Sequence, residues 1–490
     1  MKLKVKILKF LAGRPVCMIH EQTAKRMSLH VDNRVYVKKG KRKIISIIDV
    51  VSGLINKHEV AISDEIVKSL KLKKTDTVEI ELTSAPRSID LIKKKLKGGK
   101  LSKREIYEII KDISRNALTE AEIAFFIAAV HTEGMSLRET KDLVDAMVKS
   151  GSRIRLRGKI ADKHSIGGVP GNRTTPIIVS ICASSGVIMP KTSSRAITSA
   201  AGTADVIETL AKVDFSIKEI KKIIKKTNAC LVWGGALGLA PADDKIIKVG
   251  RIAKIDSTSQ LLASILSKKI SVDSKYVLID IPYGSSAKVS KRQAEKLKFK
   301  FLNLGKKFDL ELEVVLTDGS QPIGNGVGPV LEMRDILKVL KRKNSPEDLE
   351  KKSVMLSGKI LEMVGKAEKG KGEQKAMEIL DSGKAFKKFQ EIIKAQKGKI
   401  KNLKLGEYNY EIKAKRKSKI KFIDNKMISS LARSAGCPED KAAGIYIYKK
   451  VGDVAEEGEI ILTVYATSKE KLEHAKEFYK KFRRQIIRYK

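Results

Sequence analysis

Apolar and polar positions change period along the chain, and each change marks a segment. Up to residue 85 the period is two. Val78-Glu79-Ile80-Glu81-Leu82 and Met1-Lys2-Leu3-Lys4-Val5-Lys6 alternate, and Ile44 to Val51 is a short apolar run ending at Ser52-Gly53. Alternation places every second side chain on one face of a strand. Residues 1–85 therefore read as a β-rich, barrel-like accessory domain, with Ala85-Pro86 as its boundary. Its His20, His30 and His58 have no sequence partners that mark a site.

From 86 to 159 the period lengthens to that of a helix. Ile106, Ile109, Ile110 and Ile113 form a buried stripe. Ser102 with Glu105, Thr119 with Glu122 and Ser136 with Glu139 are capping boxes that open successive helices, which gives these carboxylates a structural task. Helices from about 235–275 are expected to complete this helical domain. Residues 160–400 alternate glycine-rich loops, strand-like runs and amphipathic helices, the pattern of an α/β domain with a mixed sheet. Val277 to Ile281 and Glu311 to Leu316 are its clearest strands, Ser216 with Glu219 caps the helix Ile217 to Ile224, and the part beyond 345 is helical and lysine-rich. Residues 401–490 read as a C-terminal α+β domain, with a strand at Ile460 to Val464 and a basic terminal helix. The expected fold class is thus multidomain α/β.

Composition narrows the function classes. The 490 residues fit about three domains. Against 57 Asp and Glu stand 100 Lys and Arg, a formal charge of +43. Such an excess attracts nucleic acid, membrane surfaces or anionic metabolites. The lysines, however, are spread through every segment, and no zinc finger, RNP-like aromatic set or compact basic tail accompanies them. A nucleic-acid-binding protein is therefore a low-ranked alternative supported by charge alone. Cys17, Cys182, Cys230 and Cys437 form no Cys-x-x-Cys pair, which fits a reducing compartment and gives no metal site. The apolar run Ile177 to Met189 is interrupted by Ser and Gly and is too short to span a bilayer. The expected location is the cytoplasm, away from membranes.

The candidate chemistry lies in loops. Lys163-His164-Ser165-Ile166-Gly167-Gly168-Val169-Pro170-Gly171-Asn172-Arg173 joins cations, a hydroxyl and glycines. Glycines let backbone N–H groups close on an anion. The next residues, Thr174-Thr175-Pro176, read as a helix start with a hydroxyl cap and an early proline, which sets the loop at the positive end of a helix. A tight glycine turn with an incidental histidine accounts for the same residues. Lys191 to Asp205 adds hydroxyls, a lysine and an arginine, suited to a phosphorylated, polyoxygenated ligand or to a plain polar loop. Pro282-Tyr283-Gly284-Ser285-Ser286-Ala287-Lys288 follows a strand and ends in a cation. Asp256 precedes a helix capped by Ser257 and Gln260, as a reactive acid or a capping acid. Ser264 and Lys268 share one face of that helix.

Taken in order, several of these stretches resemble the thymidine/pyrimidine nucleoside phosphorylase family. The matching motifs are Lys-His-Ser-x-Gly-Gly-Val from Lys163, Ser-Ser-Arg…Ala-Gly-Thr from Ser193, Leu239 to Lys245 and Ser264 to Lys269. Ala432 to Pro438 and Ala443-Gly444-Ile445 resemble the family's last domain, so the likeness covers nearly the whole chain from residue 87. The run Gly168-Val169-Pro170-Gly171-Asn172, the sizeable N-terminal domain, Trp233-Gly234-Gly235-Ala236 and Asp280-Ile281-Pro282 are similar to an archaeal branch, the nucleoside monophosphate phosphorylases.

The resemblance implies phosphorolysis of AMP, with CMP and UMP also expected, to free base and ribose 1,5-bisphosphate feeding ribulose bisphosphate. Inorganic phosphate is a co-substrate, and no cofactor or metal is implied. Lys163, Ser165, Ser193 and Thr203 match phosphate-holding positions. Gly168, Ser194, Arg195, Ala196, Ile197, Thr198, Ser199 and Thr203 match nucleotide contacts. Ser264 and Lys268 face the base, and Lys288 is assigned to the 5′-phosphate. Asp256 is the expected proton donor to the leaving base, with His164 as second choice. A homo-oligomer, at least a dimer, is implied. The family's base-reading arginine falls on Val249, with Arg251 two residues out of register, so pyrimidine selectivity does not carry over. The alternative enzyme is a pyrimidine nucleoside phosphorylase acting on thymidine or uridine.

Overall fold

A computed structural model describes residues 1–490 apart from Ile197, Thr198, Lys254 and Asp256. The expectations placed on Ile197, Thr198 and Asp256 lie outside the described residues. The chain divides into two units, one of residues 1–151 and 240–264, the other of residues 152–239 and 265–490.

In the first unit, alternation becomes a closed barrel. Its strands are β1 (Lys2–Ile7), β2 (Val16–His20), β3 (Arg34–Lys39), β4 (Arg42–Val51), β5 (Glu59–Ile62) and β6 (Thr77–Leu82), in the order β1-β5-β2-β4-β3-β6. β6 returns antiparallel to β1. Leu3, Val5, Val35, Val37, Val78 and Ile80 fill the interior, while Glu79 and Glu81 point outward. The helices Ser88–Leu96, Lys103–Ser114, Glu120–Thr132 and Leu137–Ser150 follow, and Pro241–Ala253 packs with them. All three expected capping boxes form with both bonds present. The isoleucine stripe is fully buried, each side chain contributing at most about 1.5–3 kcal/mol. Arg34 donates to the Ala117 carbonyl at 2.9 Å and pairs with Glu122, tying barrel to helices.

The second unit is built on parallel strands. β7 (Ala161–Ser165), β8 (Met189–Ser193), β9 (Ala229–Trp233), β10 (Tyr276–Tyr283) and β11 (Glu311–Asp318) pair as β11-β10-β7 and β8-β9. A parallel bridge from Ile160 to Ile188 links β7 to β8. Strands covered on both faces read as continuous apolar runs, as Val277-Leu278-Ile279 does in β10. Each of these pairs is parallel. Antiparallel pairing in this unit belongs to other sheets, and β12 (Gly326–Val327) joins one of them, β12-β15-β17-β13. There β13 is Tyr408–Lys413, β15 Gly444–Ile447 and β17 Ile460–Ala466. Val327 lies in the same core as Ile445 and Leu462, so one strand knits the α/β layer to the C-terminal α+β region.

One local expectation is corrected. The helix after the glycine loop is Thr174–Ser184, and its cap position is Arg173, which makes no side-chain cap bond. Thr174 is inside the helix, and its hydroxyl accepts from Lys163 at 2.9 Å instead. An ammonium donor out-competes the backbone N–H for that oxygen.

Candidate active site

Parallel pairing sends the loops after β7, β8, β10 and β11 out from one edge of the sheet, where open α/β sheets hold ligands. These are residues 166–173, 194–196 with 199–202, 284–288 and 319–325. Two glycines set how closely they approach. Gly168 has φ +90°, and a Cβ there would lie 2.8 Å from the backbone N of Lys288. Gly171 has φ +69°, and a Cβ there would lie 2.1 Å from the Ile323 carbonyl oxygen. Only glycine fits a left-handed backbone against such neighbours.

Successive residues of β7 send charges to opposite faces of the sheet. Asp162 is fully buried, its Oδ1 3.1 Å from Lys191 Nζ and its Oδ2 2.7 Å from Lys269 Nζ. Burial raises its pKa, but the two ammonium groups outweigh that and hold it below the usual range. The same burial pulls Lys269 down to about 7. Lys191 also donates to the Lys163 carbonyl at 2.5 Å.

Lys163 faces the other way and is 1% exposed. Its Nζ lies 3.6 Å from Asp280 Oδ2, which also sits 3.2 Å from Lys352 Nζ. Thr317 donates to Asp280 Oδ1 at 2.6 Å and accepts from Lys352 at 3.0 Å. Burial lowers Lys163 to about 8, with Asp280 opposing that shift. For Asp280 burial acts upward, but Lys352, Lys163 and hydrogen bonds from Thr317 and Ser165 prevail, leaving it an anion below its ordinary range.

His164, half-buried between these clusters, is pushed well below 6.5 by burial and by the charges of Lys269, Lys191, Lys268 and Lys163. It is a neutral imidazole at pH 7.

The loop after β8 is closed by Asp205, whose Oδ2 accepts from the N–H groups of Ala196 at 2.7 Å and Gly202 at 2.8 Å. Ser194 is exposed, and Ser199 donates to the Ala201 carbonyl at 3.0 Å. Ser193 Oγ is buried with no hydrogen-bond partner among the described residues, a donor or acceptor that a ligand would satisfy. Arg195 is already engaged. It forks onto Glu208 at 2.7 and 2.8 Å, approaches Asp205 at 3.3 Å, and lies over the Trp233 ring at 5.0 Å. That fork and Lys441, 2.5 Å away, hold Glu208 down at about 2. Thr203 accepts from Arg173 at 3.1 Å.

The structure thus gathers Lys163, Ser165 and His164 on β7, with Gly168 against Lys288 and Thr203 against Arg173. Lys268 bears on His164. Ser264 belongs to the first unit, where it donates to Asp243 at 2.8 Å. Sequence reasoning gave no site role to Asp280, Lys352 or Glu332, and it had Arg173 only as a cation of the glycine loop and Thr174 only as a helix cap. Asp280 left a signal, an acid inside an apolar strand; Lys352 sits in a lysine-rich helix and left none.

Residues 89–151 match the glycosyl transferase family helical bundle domain, 157–386 the glycosyl transferase family a/b domain, and 399–484 the pyrimidine nucleoside phosphorylase C-terminal domain. Among solved structures, anthranilate phosphoribosyltransferase from Thermus thermophilus is similar with a TM-score of 0.53 and 17% identity, covering 63% of this chain and 100% of that one. At that identity the likeness concerns the fold alone. The AMP phosphorylase of Thermococcus kodakarensis is 44% identical over 97% of this chain and 95% of its own. That of Pyrococcus furiosus is 42% identical over the same shares, 97% and 95%. AMP phosphorylase 1 of Archaeoglobus fulgidus is 40% identical over 95% and 93%. The match covers nearly the whole chain, from the amino-terminal part through the glycine loop to the last domain, and the protein belongs to the AMP phosphorylase family.

Proposed function

We propose that this protein is a pentosyltransferase that phosphorolyses AMP, and also CMP and UMP, to free base and ribose 1,5-bisphosphate. Identity of 44% to an AMP phosphorylase over 97% of the chain carries the reading. The geometry supports it with a lysine, an unfilled serine hydroxyl and glycine loops at one sheet edge. A phosphate oxygen bonds to the ribose C1′ as the bond from C1′ to the base nitrogen breaks. The bonding electrons leave with the base, and Asp256 supplies its proton. Positive charge on the sugar is met by bound phosphate, and negative charge on the base by the acid. A free aspartate titrates at about 3.9, so burial or the anionic substrate must raise Asp256. The neutrality of His164 ranks it behind Asp256 as the donor.

In this reading Lys163, Ser165, Ser193 and Thr203 hold phosphate, while Gly168 and residues 194–199 line the nucleotide. Ser264 and Lys268 read the base, and Lys288 meets the 5′-phosphate. Arg195 contributes through its neighbours' backbone or after exchanging Glu208 for ligand. The reaction uses no metal or cofactor. The product enters ribulose bisphosphate formation, the assembly is a dimer or larger, and the location is cytoplasmic. Among the described residues no helix is long and apolar enough to cross a membrane.

The test is base release from AMP, CMP, UMP, adenosine, uridine and thymidine, each with and without inorganic phosphate. Release from monophosphates, dependent on phosphate, is expected. Release from nucleosides instead assigns the protein to pyrimidine nucleoside phosphorolysis, and no release from any substrate overturns both readings.

A further inference from the structure

We infer that Arg173, clamped by Glu332, is a positioning residue that turns the Thr203 hydroxyl into a hydrogen-bond donor for inorganic phosphate. The inference rests on the phosphate-site reading above and adds two residues that the family motifs do not mark.

The guanidinium of Arg173 is used at three corners. Nε donates to Glu332 Oε2 at 2.6 Å, Nη1 to Thr203 Oγ1 at 3.1 Å, and Nη2 to the Ala201 carbonyl at 2.9 Å. Glu332 is 1% exposed, and its second oxygen accepts from the Gly328 N–H at 3.2 Å. The carboxylate is therefore fixed, and it fixes the plane of the arginine. A planar fork held at one edge presents its remaining N–H groups in set directions, which a lysine cannot do.

A threonine hydroxyl has one proton and two lone pairs. Arginine has no acceptor, so the contact with Arg173 occupies a lone pair and leaves the Thr203 proton for another partner. A cationic donor on the oxygen also polarises the O–H bond and strengthens it as a donor. Thr203 is half-buried. Lys163 repeats the pattern by donating to Thr174 Oγ1 at 2.9 Å. Arg173 is close enough to Lys163 for its charge to act on that ammonium. The Thr174 and Thr203 hydroxyls each accept from a cation and so keep their protons to give, and phosphate oxygens are acceptors. Three of the five Arg173 N–H donors are held by protein groups, and the effect of Arg173 on phosphate runs through Thr203.

The experiment is calorimetric titration of inorganic phosphate into wild type, Arg173→Lys, Thr203→Val and the double variant, with adenine release from AMP measured alongside. Each single substitution is expected to weaken phosphate binding about tenfold, the scale of one charge-assisted hydrogen bond. The double variant is expected to bind within about threefold of either single one, because both remove the same contact. At saturating phosphate, kcat of Arg173→Lys stays within about threefold of wild type, a split that general loss of structure does not give. Glu332→Gln, which keeps the shape and weakens the clamp, is expected to lie between wild type and Arg173→Lys. It carries the same cycle with Thr203→Val if circular dichroism shows Arg173→Lys unfolded. Unchanged phosphate binding in the folded Arg173 or Glu332 variant overturns the inference. So does a double variant weakened about a hundredfold, the additive result. A wild type that binds phosphate but releases no adenine refutes the functional reading, while the binding cycle still decides the inference.

Discussion

Asp280→Asn tests the electrostatics around Lys163, the lysine proposed to hold phosphate, at one atom. Asp280 Oδ2 lies 3.6 Å from Lys163 Nζ. At an effective dielectric of about 20, a unit pair at that separation is worth about 5 kcal/mol, or between three and four pK units. Water drawn into the altered cluster recovers part of this, and a fall of about two units is the working figure. Lys163 begins at about 8, so asparagine brings it to about 6. At pH 7.5 its charged fraction drops from about three quarters to about 3%. If the ammonium is what attracts phosphate, KM for phosphate rises about 25-fold at that pH, with kcat at saturation much less affected.

The pH profile gives the sign. Phosphate binding needs the protonated amine, so wild-type KM for phosphate climbs as pH rises through about 8, and the variant's climb begins about two units lower. Near pH 5 the two converge. Stability changes as well. The carboxyl of Asp280 is held below its usual range, so its contribution is complete above about pH 4 and lost as pH falls further. Leaving Lys163 and Lys352 without their anion costs about 3–5 kcal/mol, to be read from urea unfolding of both proteins at pH 7. The assay is steady-state base release from AMP with phosphate varied between pH 5 and 9. A folded Asp280→Asn protein whose phosphate KM at pH 7.5 stays within twofold of wild type, with its limb still near pH 8, refutes the reasoning.

Asp256→Asn is expected to lower kcat for AMP by about 10²- to 10⁴-fold, and near-normal turnover removes it as the acid. His164→Asn costs less, and the wild-type rate profile shows no limb near pH 6.5, because the imidazole is held neutral; a limb there that His164→Asn abolishes would reverse the ranking. Lys288→Ala raises KM for AMP about tenfold or more and leaves KM for adenosine unchanged; equal effects on both exclude a 5′-phosphate contact. Gly171→Ala places a Cβ 2.1 Å from the Ile323 carbonyl at φ +69°. It is expected to cost more than about 3 kcal/mol, beyond the strain of the dihedral alone, and to abolish phosphate binding; a stable, phosphate-binding variant shows that the loops need not close so tightly.

What the sequence determined by itself is local. A period of two made the barrel strands, a period near 3.6 made the isoleucine stripe, and Ser or Thr with Glu three residues on made the capping boxes. Each depends on neighbours within about one helical turn or along one strand. The glycine loop and the hydroxyl-rich segment were legible for the same reason, and their order along the chain identified the family. Tertiary structure decided which groups meet. Arg173 and Glu332 are 159 positions apart, Asp280 and Lys352 come from a strand and a distant helix, and Lys441 reaches Glu208 from the C-terminal region. No spacing rule connects such residues, because parallel strand pairing and helix packing bring them together only when the whole sheet is assembled. The same assembly overrode a local preference at Thr174, where a buried ammonium claimed the hydroxyl that the helix cap would have used. It also fixed protonation. A lysine at about 8 and a neutral histidine follow from burial and crowded charge, which arise only once the clusters on the two faces of β7 have lost their water.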